Sequence, residues 1–234
     1  MEIGEARSLA HALQRLLHDA HTLIDESKPV PELVRRVTAH LGCGLEDLVC
    51  VTQSFSSWEH ASLQRGVDAY LEARGGAEWF GVSGPGREHS EIADTLAMAS
   101  RGIEMAGIGP VDLATTAVGP DETMEVVMYG MALTHGPGGG PVVVGVRGPA
   151  ERYGMETCRV EVLGPSRPEA SAAREEIERL TREHDVLRGQ VLTFGLSEHR
   201  GNSLVTFLPR PVLDPEQVIL PEGVLETIER HIVG

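Results

Sequence analysis

The feature that most constrains the fold is a series of four β-rich segments between residues 111 and 164. Each is dense in β-branched and other apolar residues, as strands are. The segments are VDLATTAV (111–118), TMEVVMYGMALT (123–134), PVVVGVRG (141–148) and CRVEVLG (158–164). GPDE, HGPGGG and a polar loop separate them, and clusters of Gly, Pro and Asp form turns. The series predicts a largely antiparallel sheet.

The second of these segments is apolar on most of both faces. Met124, Val126 and Met128 alternate with Val127 and Met131 along it, and alternate residues of a strand point to opposite faces. We therefore expect helices to cover this strand on one side, and the rest of the chain or a partner to cover the other.

Helical spacing marks the segments around these strands. Leu9, Leu13 and Leu16 fall on one side of a helix predicted over 5–26. Pro31 fits the first turn of a second helix, which Gly42 ends. Further patterns predict, in order, a strand at 48–54, a helix at 58–73, a loop at 81–90 leading to a helix near 89–105, a charged surface helix at 167–185, and a β-hairpin from QVLTFGL and SLVTFLP.

The last segment follows a Pro-rich stretch. Residues 209–221 carry four prolines and predict an extended linker, and PEGVLETIERHIVG predicts a helix after it. Such a helix has little of this sequence left to pack against. We therefore expect its apolar side to contact a partner or a following domain, through Leu225, Ile228, Ile232 and Val233.

These elements predict the α+β class. The N-terminal part, 1–108, is expected to be mainly helical. The antiparallel sheet with its charged surface helix occupies 109–208, and the C-terminal hairpin closes that part. The linker and the last helix form the third part, 209–234.

Composition narrows the class of partner and the compartment. A formal net charge of −15 argues against nucleic acid and anionic membranes as partners. Lys28 is the single lysine among 20 basic residues, which is typical of GC-rich genomes such as those of actinobacteria. Cys43, Cys50 and Cys158 form no C-x-x-C pair, and no run approaches the roughly 20 apolar residues of a membrane span. We expect a soluble, cytoplasmic protein.

Three Gly-rich segments have the composition of a phosphate-binding loop, since glycine lets backbone N–H groups approach an anion. They are GPGREHS (84–90), GPGGGP (136–141) and GVRGP (145–149). The first two lack the G-K-[ST] ending and the strand-to-helix context of nucleotide-binding loops. A strand that ends in a turn accounts for the third. We therefore predict hairpins or connecting loops, and no cofactor in this chain.

Histidines on the first predicted helix raise the question of a metal site. His18 and His21 are three residues apart, with Asp25 one turn further on. With His11 they project away from the leucine stripe, and no cysteine or further histidine completes a tetrahedral site. The sequence also lacks a G-x-S-x-G elbow, and two of the cysteines lie in strand-like runs, where thiols are usually inert. We assign no metal ligand and no catalytic residue.

The strongest functional signal lies toward the C-terminus. REHDVLRGQVLTFG (182–195), SLVTFLPRP (203–211) and VILPEGVLETIERHIVG (218–234) resemble the segment just upstream of the ATPase core in a group of bacterial, largely actinobacterial, AAA family ATPases. There, a charged helix ending in R-E-H-[ND]-V-x-R-G-x-V-L precedes a β-hairpin and I-L-P-E-x-x-L-x-x-I-E-R-H-x-x-G. DLVCVTQSFSSWEHASLQRGVDAYL (47–71) and VVVGVRGPAER (142–152) are similar to regions further upstream in the same proteins.

This resemblance implies an N-terminal regulatory region, or one that recognises a substrate or adaptor protein. The chain contains no Walker A lysine, Walker B acidic pair or arginine finger, so no nucleotide-binding residue carries over. ATP and Mg²⁺ would belong to a core that follows this region in the parent protein. The expected partners are that AAA core and a protein substrate or adaptor, and the resemblance implies a homo-oligomer.

Two alternatives remain open at the level of sequence. A standalone binding or self-assembling module would dimerise through the two-sided apolar strand at 123–134. A standalone enzyme would gather polar groups in a pocket near His135, Arg147 or the 84–90 loop.

Overall fold

The structure, a computed structural model, describes residues 14–16, 30–84, 90–101, 107–150, 156–195, 205–210 and 224. Its helices are α1 (Glu32–Leu41), α2 (His60–Glu72), α3 (Ile92–Ser100) and α4 (Arg167–Glu183). Its strands are β1 (Val49–Ser56), β2 (Trp79–Ser83), β3 (Gly107–Gly109), β4 (Asp112–Ala117), β5 (Thr123–His135), β6 (Pro141–Arg147), β7 (Thr157–Gly164), β8 (Val191–Phe194) and β9 (Val205–Leu208). Residues 14–16, inside the first predicted helix, are helical. Among the described helices, none has the length and apolar character that crossing a membrane demands.

A seven-stranded sheet forms the centre of the fold. The strand order is β1-β7-β6-β5-β2-β3, and β4 also pairs with β5. β5 reaches both because it is long: its first half pairs with β4, and Met131 and Ala132 of its second half pair with β2. Every pairing is antiparallel, and β8 and β9 form a separate two-stranded hairpin. The predicted α+β class, with its antiparallel sheet and C-terminal hairpin, is confirmed.

Helices cover both faces of the sheet. α2 and α4 pack on one face, where Val142, Val144 and Val146 of β6 are buried. α1 and α3 pack on the other face, where Val143 and Met131 are buried. β6 is therefore apolar on both faces because each face meets a helix layer. The sheet takes strands from both sides of the boundary predicted at 108/109, since β1 and β2 come from the first part.

Of the two covers left open for the second face of the 123–134 strand, the structure shows the chain itself and not a partner. β5 lies inside the sheet, with β6 on one edge and β2 and β4 on the other. Tyr129 and Met131, on one face, are buried by α1 and α3, and Val127, on the other, belongs to the core under α2 and α4. Dimerisation through this strand would require it to leave the core. Its two apolar faces reflect two layers of helices.

The loop predicted at 81–90 is wrong for its first residues. β2 extends to Ser83 and pairs with β5 and β3. Gly81 of this strand lies where a Cβ would collide with the backbone carbonyl of Pro110. A glycine in a strand can mark such a close backbone approach, and this one does. Residues 85–89 lie outside the described part of the chain.

Candidate functional site

The GPGGGP segment is the hairpin loop between β5 and β6, as predicted. Its backbone N–H groups bind a side-chain carboxylate of the same chain. The N–H groups of Gly138 and Gly140 donate to the Glu169 carboxylate, at 2.8 and 3.2 Å. Glu169 lies in the first turn of α4. Because Glu169 fills this loop, the loop ties α4 to the hairpin and offers no open phosphate cradle.

The residues that the enzyme alternative brings together are separated in the fold. In the β5–β6 register, His135 pairs with Pro141 and Tyr129 pairs with Arg147. His135 and Arg147 thus lie at opposite ends of this strand pair, about 20 Å apart at the usual rise of a strand. His135 contacts His40 of α1, with ring centroids 5.6 Å apart. Arg147 is only 3 % exposed and donates to the Gly148 carbonyl.

The sheet also contains a buried carboxylate. Glu161 of β7 is fully buried on the face covered by α3. Its two oxygens accept hydrogen bonds from the Ile92 backbone N–H at 3.1 Å, and one also accepts from the Ala93 N–H at 3.3 Å. A carboxylate is favoured at a helix N-terminus because the first N–H groups have no partner within the helix. Glu161 thus anchors the start of α3 to the sheet.

Further polar contacts surround this anchor. Arg159, two residues before Glu161 on β7, forms an ion pair with Glu91, the residue that precedes α3. Thr95 of α3 shares a 2.8 Å hydrogen bond with the hydroxyl of Tyr129 on β5. We call Glu161 and these four residues the α3 anchor. Each of its contacts joins the sheet to the start of α3, which is a structural role.

Burial raises the pKa values of three side chains on β1 and β7, which are Glu161, Cys50 and Cys158. Burial raises the pKa of Glu161 above its usual 4.5, although the hydrogen bonds from Ile92 and Ala93 oppose the shift. The Cys50 thiol lies 3.9 Å from Glu161, and burial together with that carboxylate raises its pKa to about 12. Burial likewise raises the pKa of Cys158 to about 12. Both thiols are therefore protonated at neutral pH and are poor nucleophiles.

His60 is the other buried titratable side chain of note. It is 1 % exposed, and burial lowers its pKa to about 4, so its ring is neutral at neutral pH. Its Nε2 lies 2.9 Å from the Val127 carbonyl, and the Val127 N–H donates to the Gln64 side chain at 2.9 Å. Val127 lies at a bulge, since Asp112 pairs with Tyr129 but Leu113 pairs with Val127. His60 and Gln64 therefore supply backbone partners where the ladder is irregular.

The exposed apolar surface has a different character. Trp58, just before α2, is 41 % exposed, and Phe194 at the end of β8 is 63 % exposed. Their rings meet edge to face with centroids 6.2 Å apart. We call this pair the Trp58–Phe194 surface. Aromatic residues are enriched in protein interfaces, so this pair is a candidate protein-binding surface.

The candidate residues near the two ends of the chain lie outside the part that the structure describes. His11, His18, His21 and Asp25 lie outside the described residues, as do Leu225, Ile228, Ile232 and Val233. Among the residues that the structure does describe, no group of three or more His, Cys, Asp or Glu is arranged to hold a metal ion.

Sequence reasoning missed the α3 anchor and the Trp58–Phe194 surface. A signal for the anchor was present in the isolated Glu161 of CRVEVLG, an acid flanked by valines in a run that predicts a buried strand. No sequence signal placed Trp58 next to Phe194. Comparisons with protein-family models, with curated proteins and with solved structures find no match to this chain.

Proposed function

We propose that this chain is the regulatory, protein-recognising region of an AAA-type ATPase, with ATP binding and hydrolysis in a core that follows it. The observation that carries recognition is the Trp58–Phe194 surface. Trp58 lies in FSSWEH and Phe194 in QVLTFG, both within segments that resemble those ATPases. The surface therefore belongs to the part of the chain on which the resemblance depends.

The polar and titratable groups of the described residues also favour recognition over catalysis. Glu161, Arg159 and Glu169 contact backbone or side-chain partners within the chain. His60 is neutral and hydrogen-bonded to a strand backbone, and the thiols of Cys50 and Cys158 are protonated. These groups stabilise the fold. Trp58 and Phe194, by contrast, are exposed to solvent. Aromatic residues of this kind are enriched in protein interfaces.

We expect this polypeptide to hydrolyse no ATP above background, because the catalytic residues would lie in the following core. Phosphate release from the purified chain, measured beside the intact parent protein, checks this. The gene provides the matching test, since a G-x-x-x-x-G-K-[ST] motif should be encoded within roughly 50 codons after residue 234. A stop codon in that interval, or tight MgATP binding by this chain alone, would contradict the proposal.

Recognition is tested separately by replacing both aromatic side chains in the intact parent protein. We expect Trp58→Ser with Phe194→Ser to weaken binding of an unfolded probe, a reduced and carboxymethylated globular protein, by at least roughly thirtyfold, which corresponds to about 2 kcal/mol, the contribution of one hot-spot aromatic side chain. Stimulation of ATP hydrolysis by the probe gives the apparent affinity. Leu113→Ser is the control, because Leu113 is 52 % exposed on β4. Equal affinities for both variants would refute a role for the aromatic pair.

A further inference from the structure

β1 forms one end of the seven-stranded sheet. It pairs with β7 along its whole length, from Val49 opposite Gly164 to Ser56 opposite Thr157. Among the described residues, no strand pairs with its other side. Thr52 in the middle of β1 is exposed. An open strand edge of this kind is a template for pairing with another strand.

The backbone groups that face the open side can be identified. In an antiparallel ladder, the N–H and C=O groups of alternate residues point to the partner strand, and those between them point away. The Ser56 N–H donates to the Glu59 carboxylate at 2.8 Å, and the Ser54 carbonyl accepts from the Gln53 side chain at 3.1 Å. These local bonds mark the even-numbered residues as the outward set. Thr52 belongs to that set, at the centre of the open edge.

The sequence of β1 does not protect this edge. VCVTQSFS contains no charged residue and no proline, in a chain that is 24% charged, and its register with β7 has no bulge. The strands at the other side of the sheet are protected in the usual ways. β3 has only three residues and is followed by Pro110, and β4 begins with Asp112 and a bulge. The contrast singles out β1 as the edge suited to pairing.

We propose that two copies of this chain pair antiparallel through β1 about a two-fold axis and join their sheets into one. A strand that pairs with its own copy in this way is self-complementary about Thr52, because the outward N–H and C=O of Thr52 meet the C=O and N–H of the other Thr52. This dimer would form through β1 and not through β5, because both faces of β5 are buried. It does not depend on the ATPase function proposed above.

The net charge of α4, which lies next to the proposed interface, is also compatible with a second copy. α4 packs over β1 and β7, so the two α4 helices would run antiparallel on either side of the axis. α4 carries four arginines and five glutamates, which gives 4 − 5 = −1, whereas the whole chain carries −15. Its charges alternate in sign along the surface, as in the Arg174–Glu178 and Arg179–Glu183 pairs. The repulsion between the two α4 helices is therefore weak, and the acidic residues next to β1, which are Glu46, Asp47 and Glu59, lie beyond the two ends of the strand.

Sedimentation of the 234-residue chain over a range of concentrations tests the proposal. The wild type should pass from 25.2 kDa to about twice that mass as concentration rises. Thr52→Lys puts two like charges beside the axis and should weaken dimerisation at least about tenfold, which corresponds to about 1.4 kcal/mol. Thr115→Lys is the matched control, since Thr115 is an exposed threonine of β4, and it should dimerise like the wild type. A wild type that stays monomeric at every concentration overturns the proposal.

Hydrogen exchange on the wild type locates the interface between the two copies without any substitution. It therefore tests the interface even if Thr52→Lys does not fold. The Cys50 and Thr52 amides should exchange several-fold more slowly at concentrations where the dimer forms. Protection confined to other segments, with β1 still exchanging freely in the dimer, would place the interface elsewhere and overturn the proposal. So would dimerisation of Thr52→Lys equal to that of Thr115→Lys.

Discussion

Gly66→Ala should lower the free energy of unfolding by about 2 to 3 kcal/mol, although alanine favours a helix over glycine. Gly66 lies on α2 where this helix meets α4. A Cβ there would lie 2.5 Å from the Thr181 Oγ1, 2.6 Å from its backbone nitrogen and 2.7 Å from its Cα. The hydroxyl can rotate, but the backbone of α4 cannot move without disturbing the core. Thermal unfolding should therefore begin about 5 to 10 °C lower.

A double substitution separates the side-chain and backbone parts of this clash. Thr181→Ala removes the hydroxyl and leaves the backbone atoms, so it should relieve only part of the Gly66→Ala defect in a double-mutant cycle. Gly119→Ala is the control, because the nearest atom to a Cβ there is 3.4 Å away and the residue has no positive φ. A Gly66→Ala variant as stable as Gly119→Ala would mean that α2 and α4 are not in such close contact.

The part of the fold that local pattern determines was predictable from sequence. The four β-rich segments correspond to β4 to β7, and the charged run that begins at Arg167 became α4. Each of these signals lies within one segment, where side-chain periodicity reports which faces are buried. The turn at GPGGGP was equally clear, because glycine and proline act on the local backbone.

Contacts between distant segments were not predictable in the same way. The apolar faces of β5 indicated burial on both sides, yet the sequence could not say whether helices or a partner supplied the cover. That depends on where α1 and α3 pack. The close approach of Gly81 to Pro110 was not visible in the local sequence, because Pro110 lies 29 positions further along the chain. Trp58 and Phe194 are likewise distant in sequence and adjacent in space.

A single substitution can test whether the α3 anchor holds the second helix layer in place. Glu161→Ala should lower the free energy of unfolding by about 3 to 5 kcal/mol, because it leaves the buried Ile92 N–H and the partly buried Ala93 N–H without an acceptor. Chemical denaturation at neutral pH measures this. Glu175→Ala serves as the control, since Glu175 has a largely exposed side chain on α4 and should change stability by less than about 0.5 kcal/mol. Equal stabilities for the two variants would show that Glu161 does not anchor α3.

Glu161→Gln should also change the dependence of stability on pH. The pKa of Glu161 is raised in the folded protein, so the folded state binds this proton more tightly than the unfolded state does. From about pH 4.5 upward through the raised pKa, ionisation of Glu161 therefore lowers the stability of the wild type. The amide of Glu161→Gln can still accept one of the N–H groups and does not ionise. The stability difference between wild type and Glu161→Gln should accordingly shift toward the variant as pH rises through this window and then level off. A difference that stays constant with pH would mean that Glu161 is solvated in solution, and that water reaches the sheet beneath α3.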